Sequence, residues 1–493
     1  MMPKTESKNK LLFIFVTSMI ALLSFSFALA EATLDKGPVV NAKMRTVTAD
    51  SVHENTKDSS SIKSIRMADA LPDHFIPSEA NTVSAADSEY PVYIFFDNEE
   101  NAGILYFYTE GETITMNRDS SYLFANNEFL TDISGLGKWD ASNVAWMNGA
   151  FFYDSSLSSL SPLANWDTGN VTSLAQTFQG DAALSDISGL ANWDTSNVRD
   201  MFALFGGAKS LNDALALRNW DTSNTTDMSF MFSGCTSLLF VDVSNWNTGK
   251  VTTMASMFQV GDSWKSNGQM REINGLGNLD VSNVTDMTCM FYGAGQMTYY
   301  DIAGWDVSKV ESMNHMFCDN RSLRSLDLSD WDVSSLKTVY CMFDDNVKLK
   351  TIGDVSHWNT SNLIDAGGWL NDAFSFIGDE YGTLDLSGWD TRNLKTVGEM
   401  FLQTSLHTID LSGWIFDSIT NDTWDGADSG IYYETGNDSE PLRGFGSMFK
   451  DSTKLTAVYV SQSGLDSYNT VVENGVNTLD MWTHAKTEGF TVK

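Results

Sequence analysis

The chain is short of cysteine, proline, histidine and cationic side chains. Four Cys in 493 residues cannot staple the fold, and the first of them is Cys235. Of seven Pro, only Pro162 falls between residues 132 and 440, as long uninterrupted backbone ladders require. Six scattered His offer no multi-His metal site. Thirty Lys and Arg stand against 64 Asp and Glu, a formal charge of −34. A protein that binds nucleic acid must displace counterions with basic surface, and this one has little. The same deficit argues against docking on anionic lipid headgroups. Beyond residue 30 no apolar run is long enough to span a bilayer. The end, 488–493, has no hydrophobic tail, and no Leu-Pro-x-Thr-Gly sorting motif stands near it.

What is present is a large apolar complement, 42% hydrophobic with 12% aromatic, enough to bury a core. Lys4, Lys8 and Lys10 precede a mostly apolar run over 11–29 that closes in Ala28-Leu29-Ala30. This is the pattern of a secretory signal peptide over residues 1–30, cut after Ala30; the rival reading is an uncleaved anchor. Export with no stable membrane insertion after cleavage follows. The chain would be secreted, or held on the cell surface non-covalently.

A repeat organises the rest. Trp followed by Asp or Asn recurs at Trp139, Trp166, Trp193, Trp220, Trp246, Trp305, Trp331, Trp358 and Trp389. Leu279 takes the same place once, and Trp414 closes the series. The steps are 27, 27, 27, 26, 33, 26, 26, 27, 31 and 25 residues. So regular a period predicts one stacked solenoid, not separate domains. The internal register is equally fixed. Twelve residues after the anchor stand Phe151, Phe178, Phe205, Phe232, Phe258, Phe291, Phe317, Phe343 and Phe401. Val or Leu stands five residues on, and Met is frequent at eight, as in Met147, Met201, Met228 and Met254. Apolar steps of three to four predict one face of a short helix, with Ser142, Ser196, Ser223, Ser282, Ser308, Ser334 and Ser361 as N-caps. Before the anchor the period becomes two, as in Leu326-Asp327-Leu328 and Val241-Asp242-Val243, which predicts a short strand. The fold class is therefore an α/β, leucine-rich-repeat-like solenoid of about eleven strand–turn–short-helix units, on the order of 50 Å long by strand spacing.

The flanks read differently. Residues 31–88 hold one aromatic, Phe75, and read as a flexible spacer. Stretches 92–96 and 104–108 read as a β-hairpin, the core of an N-terminal cap over 89–131. The solenoid covers 132–458, and residues 459–493 form the C-terminal cap.

The units that begin Trp220-Asp-Thr-Ser-Asn-Thr-Thr-Asp-Met and Trp305-Asp-Val-Ser-Lys-Val-Glu-Ser-Met resemble the BspA-like leucine-rich repeat surface proteins. The resemblance spans 132 to about 458. It implies a solenoid on the bacterial exterior that adheres to host matrix or cell-surface proteins, or to other bacterial cells. It implies no catalytic residues and no cofactor. Members often carry a lipid-attachment Cys or a wall-sorting tail, and this chain shows neither.

The remaining chemistry is sparse. The Trp column could be a sugar-stacking platform, but a ring in one fixed slot of every unit reads first as core. The Asp column one residue later (Asp140, Asp167, Asp194, Asp221, Asp280, Asp306, Asp332, Asp390) could bind calcium. Asn247 and Asn359 in the same place favour turn hydrogen bonds instead. The loop at 421–426 lacks the twelfth-place Glu of a calcium loop, since Tyr432 stands there. Cys289 and Cys341, two units apart, are ~10 Å apart by strand spacing, beyond disulfide reach, so the thiols read as buried and free. No Ser-His-Asp or Cys-His grouping can be assembled, so the protein reads as a non-enzyme without metal. Binding is left to insertions. Trp264 stands in one. Trp424, Asp425, Asp428, Tyr432 and Tyr433 stand in the largest, between Trp414 and Gly444, where aromatics in a polar loop fit a protein-binding hot spot. The alternatives are a carbohydrate-binding surface protein and a structural envelope component with no specific ligand.

Overall fold

A computed structural model describes residues 31–48, 61–97, 99, 102–261, 268–371, 382–421, 444–487 and 489–493. At the N-terminal end, β1 (Glu31–Thr33) leads into α1 (Gly37–Thr48). Strand β2 (Ser64–Met67) lies in a three-stranded sheet beside the hairpin of β3 (Val92–Asp97) and β4 (Ile104–Thr109), in the order β2-β4-β3. The hairpin is antiparallel as expected, with Val92 opposite Thr109 and Asp97 opposite Ile104. Strand β1 pairs in parallel with β5 (Thr113–Thr115).

The expected flexible spacer over 31–88 is therefore corrected in its described parts. Low aromatic content does not preclude a core here, because the burial is aliphatic. Ala32, Leu34, Val40, Met44, Ile62 and Ile65 have no exposed surface. Val40 and Met44 stand one helical turn apart and face the same core. This end is joined directly to the first repeat. Ser64 bridges Asp132 in parallel, Trp139 Nε1 points at Met67 Sδ at 3.3 Å, and the Phe107 ring meets the Trp139 ring edge-on at 4.9 Å between centroids.

From there the chain winds as a solenoid. Parallel bridges run Asp119 to Trp146, Ser173, Asp200, Asp227, Thr253, Asp286, Ser312, Thr338, Asp365 and Thr396, one step per coil. On the strand side, β6 (Phe240–Asp242) pairs in parallel with β7 (Glu272–Asn274). Further on, β8 (Thr383–Asp385), β9 (Thr408–Asp410), β10 (Ala457–Val460) and β11 (Thr491–Val492) make a parallel sheet in the order β11-β10-β9-β8. Helix α2 (Gln462–Glu473) begins at Ser461, whose Oγ accepts the Gly464 N–H at 3.2 Å. Among the described residues, no helix is long and apolar enough to cross a membrane.

The short helix expected in each coil is absent among the described residues. Met147, Gly149, Phe151 and Tyr153 donate their N–H groups not to residues four back but to Ser173, Ala175, Thr177 and Gln179 of the next coil, at 2.8–3.1 Å. Tight turns alternate with these bonds, as in Ala150 N–H to Met147 O and Phe152 N–H to Gly149 O, both at 3.0 Å. A helix cannot form here, because each coil needs a left-handed residue ten places after its anchor. Gln176, Ala203, Phe230, Ser256, Cys289, His315 and Cys341 all fill that place with φ between 50° and 59°. The Met and Phe spacing that looked helical comes from two successive inward turns. The Ser residues expected as N-caps have another partner. Ser142, Ser196 and Ser223 donate their N–H groups to the Asp two residues earlier, at 2.8–2.9 Å.

The core consists of stacked columns. The Phe column is fully buried. Phe178, Phe205, Phe232, Phe258 and Phe291 stack face to face with centroids 5.7–5.9 Å apart. The Trp column is also core, at most 4% exposed. From Trp166 onward each indole N–H of the column satisfies a backbone carbonyl of an earlier coil, as Trp166 does with Leu136 O at 3.0 Å and Trp220 with Leu190 O at 2.9 Å.

Candidate functional site

The insertion residues singled out from the sequence, Trp264, Trp424, Asp425, Asp428, Tyr432 and Tyr433, lie outside the described residues. The structure does place the other candidates. The buried Trp column has no ring face to offer a sugar. The Asp column behaves as turn acceptors. Asp280, Asp306 and Asp332 take the N–H of Ser282, Ser308 and Ser334 at 3.0–3.1 Å, and Asn247 does the same for Gly249 at 3.3 Å. Bonds from Ser196, Ser223 and Ser308 pull the carboxyls of Asp194, Asp221 and Asp306 below the usual carboxylate range. Among the described residues no group of three or more His, Cys, Asp or Glu is placed to hold a metal ion. No disulfide joins the four Cys, all of which are buried, and burial pushes the Cys235 thiol up to about 12. His315 is buried too, which lowers its imidazole to about 4 and leaves it neutral.

What the sequence reasoning missed is an open groove on the turn side of the early coils. Its volume is about 700 Å³, and Tyr153, Gln176, Gln179, Phe202, Lys209 and Phe230 are among the residues lining it. Outward residues nine, ten, thirteen and fourteen places after the anchors build it. Tyr153 is 39% exposed and lies over the next coil, where a Cβ on Gly180 would come within 2.5 Å of its ring. Gly180, Gly207 and Gly234 then repeat at one place with positive φ and leave a strip of bare backbone. Phe202 and Phe230 close the other side, edge to face at 5.6 Å. Gln176 Nε2 donates to Gln179 Oε1 at 2.7 Å, holding two amides in the floor. Glu128 and Lys209 supply the charge at the rim. Beyond Tyr153, Phe152 contacts it at 4.4 Å and Tyr122 meets Phe152 at 6.2 Å, so the aromatic track extends one coil toward the N-terminus. The sequence carries its signal as three glycines in register after a tyrosine, Gly180, Gly207 and Gly234 after Tyr153.

A second outward feature is an amide ladder. Asn170, Asn197, Asn224, Asn283, Asn362 and Asn393 each donate from Nδ2 to a carbonyl of the coil before, at 2.7–2.8 Å. These bonds brace neighbouring coils on the surface and leave the groove residues free of that duty.

No curated protein matches the chain significantly. Among solved structures, the functional domain of InlJ from Listeria monocytogenes, which includes a cysteine ladder, is 12% identical over 71% of this chain, with a TM-score of 0.21. The chain spans 61% of that structure's length. The leucine-rich repeat domain of APL1B is 13% identical over 65% of this chain and 78% of that one, with a TM-score of 0.20. A family model matches four overlapping stretches, 118–216, 181–273, 265–382 and 354–425, which together take in more than half of the chain. The chain therefore belongs to the family described as Mycoplasma protein of unknown function, DUF285.

Proposed function

We propose that the protein is exported by its first 30 residues and works outside the cell as a binding protein, adhering to host matrix or cell-surface proteins or to other bacterial cells. In this reading it is a BspA-like surface protein of eleven coils, closed by the β3–β4 hairpin and by residues 459–493, and it is not an enzyme. The groove carries the proposal. An aromatic strip beside bare backbone combines large apolar contact area with unhindered approach to main-chain groups, as protein recognition uses. The resemblance of the repeat units to BspA-like surface proteins supports the same reading. Burial of the Trp column removes the feature on which a sugar-binding reading depended.

The test is a binding screen of the purified chain from residue 31 against arrayed matrix proteins and glycans. Three variants then assign the site: Tyr153→Ala, Phe230→Ala, and replacement of 422–443 by a short turn. Loss of protein binding of tenfold or more in either groove variant supports the groove. Loss only in the shortened variant moves the site to the insertion. Capture of glycans alone, or self-association with no ligand, refutes the proposal.

A further inference from the structure

Directly beneath the groove, one residue after Tyr153 and Gly180, stand Asp154 and Asp181, both with no exposed surface. They continue a column with Asn127. Asp154 Oδ1 accepts the Asn127 N–H at 2.7 Å, and Asp181 Oδ1 accepts the Asp154 N–H at 2.9 Å. The other oxygens, Asp154 Oδ2 and Asp181 Oδ2, are buried and have no hydrogen-bond partner among the described residues. An ionised carboxylate left so would carry a large desolvation cost. The same place in other coils shows what belongs there. Cys235 Sγ donates to Phe205 O, Asn320 Nδ2 to Phe291 O, Asn346 Nδ2 to Phe317 O and Ser452 Oγ to Phe401 O. In these four coils a side-chain donor serves the Phe carbonyl of the preceding coil, whereas Ala208 and Ala294 fill the same place with no polar side chain. One such carbonyl takes two donors without difficulty, since Asn320 and Asn346 both reach Phe317 O, at 2.8 and 2.9 Å.

We propose that Asp154 and Asp181 stand in the folded protein as neutral carboxylic acids, each donating an Oδ2 proton to the preceding Phe carbonyl, Phe124 O and Phe151 O, so that two protons tie the floor of the groove from coil to coil. A carboxyl has no hydrogen to give unless it is protonated, and the polar side chains Cys235, Asn320, Asn346 and Ser452 all act as donors at this place. Burial, with the neighbouring Asp181 adding repulsion for Asp154, raises both acids well above their ordinary 3.8. The charged groups acting on the pair are the two carboxyls themselves and, from α1, Arg45. That guanidinium also donates to Ala125 O at 2.8 Å and Asn126 O at 2.6 Å. Folding thus binds protons at this place. Stability is highest below the ordinary carboxyl value and falls as pH rises from there to the raised native values. If the groove is the binding face, as proposed above, acid pH tightens its floor and rising pH loosens it.

The test compares the chain with Asp154→Asn/Asp181→Asn, which keeps the shape and supplies amide donors as Asn320 and Asn346 do. At pH 7 the unaltered protein should show infrared carbonyl absorption of protonated carboxyls that the variant lacks. In urea unfolding, the ratio of the two unfolding constants should climb with pH by up to tenfold per unit for each acid, and level off below about pH 4. The variant should be the more stable at pH 7. No infrared difference at pH 7, or a variant less stable there than the parent, would mean that the acids are ionised and held by Arg45, and would overturn the proposal. If the double variant does not fold, the single variants carry the same infrared and urea comparison. Neither readout depends on a partner, so the proton clasp can fail while the groove stands, and the reverse.

Discussion

Replacing Phe232 by Ala tests the register on which the whole architecture rests. The ring has no exposed surface and sits between Phe205 and Phe258, with centroids 5.8 and 5.9 Å away and planes within 9° of parallel. Truncation removes the transfer free energy of a buried ring and leaves a cavity, together about 3–5 kcal/mol. The two stacked pairs add about 0.5–1.5 kcal/mol each where the neighbours cannot close in. Collapse is restricted here, because the Phe232 N–H is bonded to Met257 O at 3.0 Å and the Phe205 N–H to Met231 O at 2.9 Å. The backbone ladder holds the coils at their spacing while the ring is gone. Each coil of a solenoid is stabilised by its neighbours alone, so the loss should appear first as local opening around residues 205–258. Urea denaturation followed by Trp fluorescence gives the total. Hydrogen exchange should show lost protection at Phe205, Phe232 and Phe258, with protection near β3 and β4 retained. An unchanged midpoint together with unchanged exchange in these coils would refute the stacking register.

Two further outcomes follow from single buried groups. Trp220→Phe keeps an aromatic ring but removes the indole N–H from the Leu190 carbonyl, which keeps the Trp193 N–H at 3.2 Å, and should cost about 0.5–1.5 kcal/mol in urea titration; a loss below a few tenths would remove the indole bond as a tie between coils. The Cys235 thiol, fully buried and raised to about 12, should resist iodoacetamide in the native chain and react only on unfolding, with mass spectrometry as the readout. Native-state labelling at Cys235 would contradict its place in the core.

The sequence exposed the inward columns and concealed the outward ones for the same physical reason. A core slot repeated in every coil admits one kind of side chain, so Trp139, Trp166 and Trp193, or Phe151, Phe178 and Phe205, announce themselves by recurrence. Local conformation was less legible. Met147 and Phe151 stand four apart, as they would on a helix, yet the left-handed turn between them sends their N–H groups to the next coil. Spacing alone cannot distinguish those two periods over so short a run. The spacer reading failed at Val40 and Met44 because aliphatic burial needs few residues when a finished core stands beside them. The buried Asp154 and Asp181 were equally hidden, since an Asp in a polar turn looks the same whether its carboxyl faces water or Phe carbonyls.

The glycines of the groove show how such an outward choice can be recognised. Gly180, Gly207 and Gly234 have φ of 84°, 78° and 72°, which would ordinarily explain glycine by backbone need alone. That explanation is insufficient here. Tyr153, Asp319, Asp345 and Gln403 stand fourteen residues after their own anchors, the same place, with φ of 56–62°. The coil therefore accepts a full side chain at this turn, and accepts an aromatic one immediately before the run of glycines. Three successive glycines must then answer to space. A Cβ on Gly180 would strike the Tyr153 ring, whereas one on Gly207 or Gly234 would meet only the preceding glycine's backbone at 3.6–3.7 Å, an ordinary contact. The latter two are not forced by packing within the chain. Their bareness keeps the strip between Tyr153 and Phe230 open, and a body that stacks the same Phe and Trp in coil after coil has no structural use for that opening.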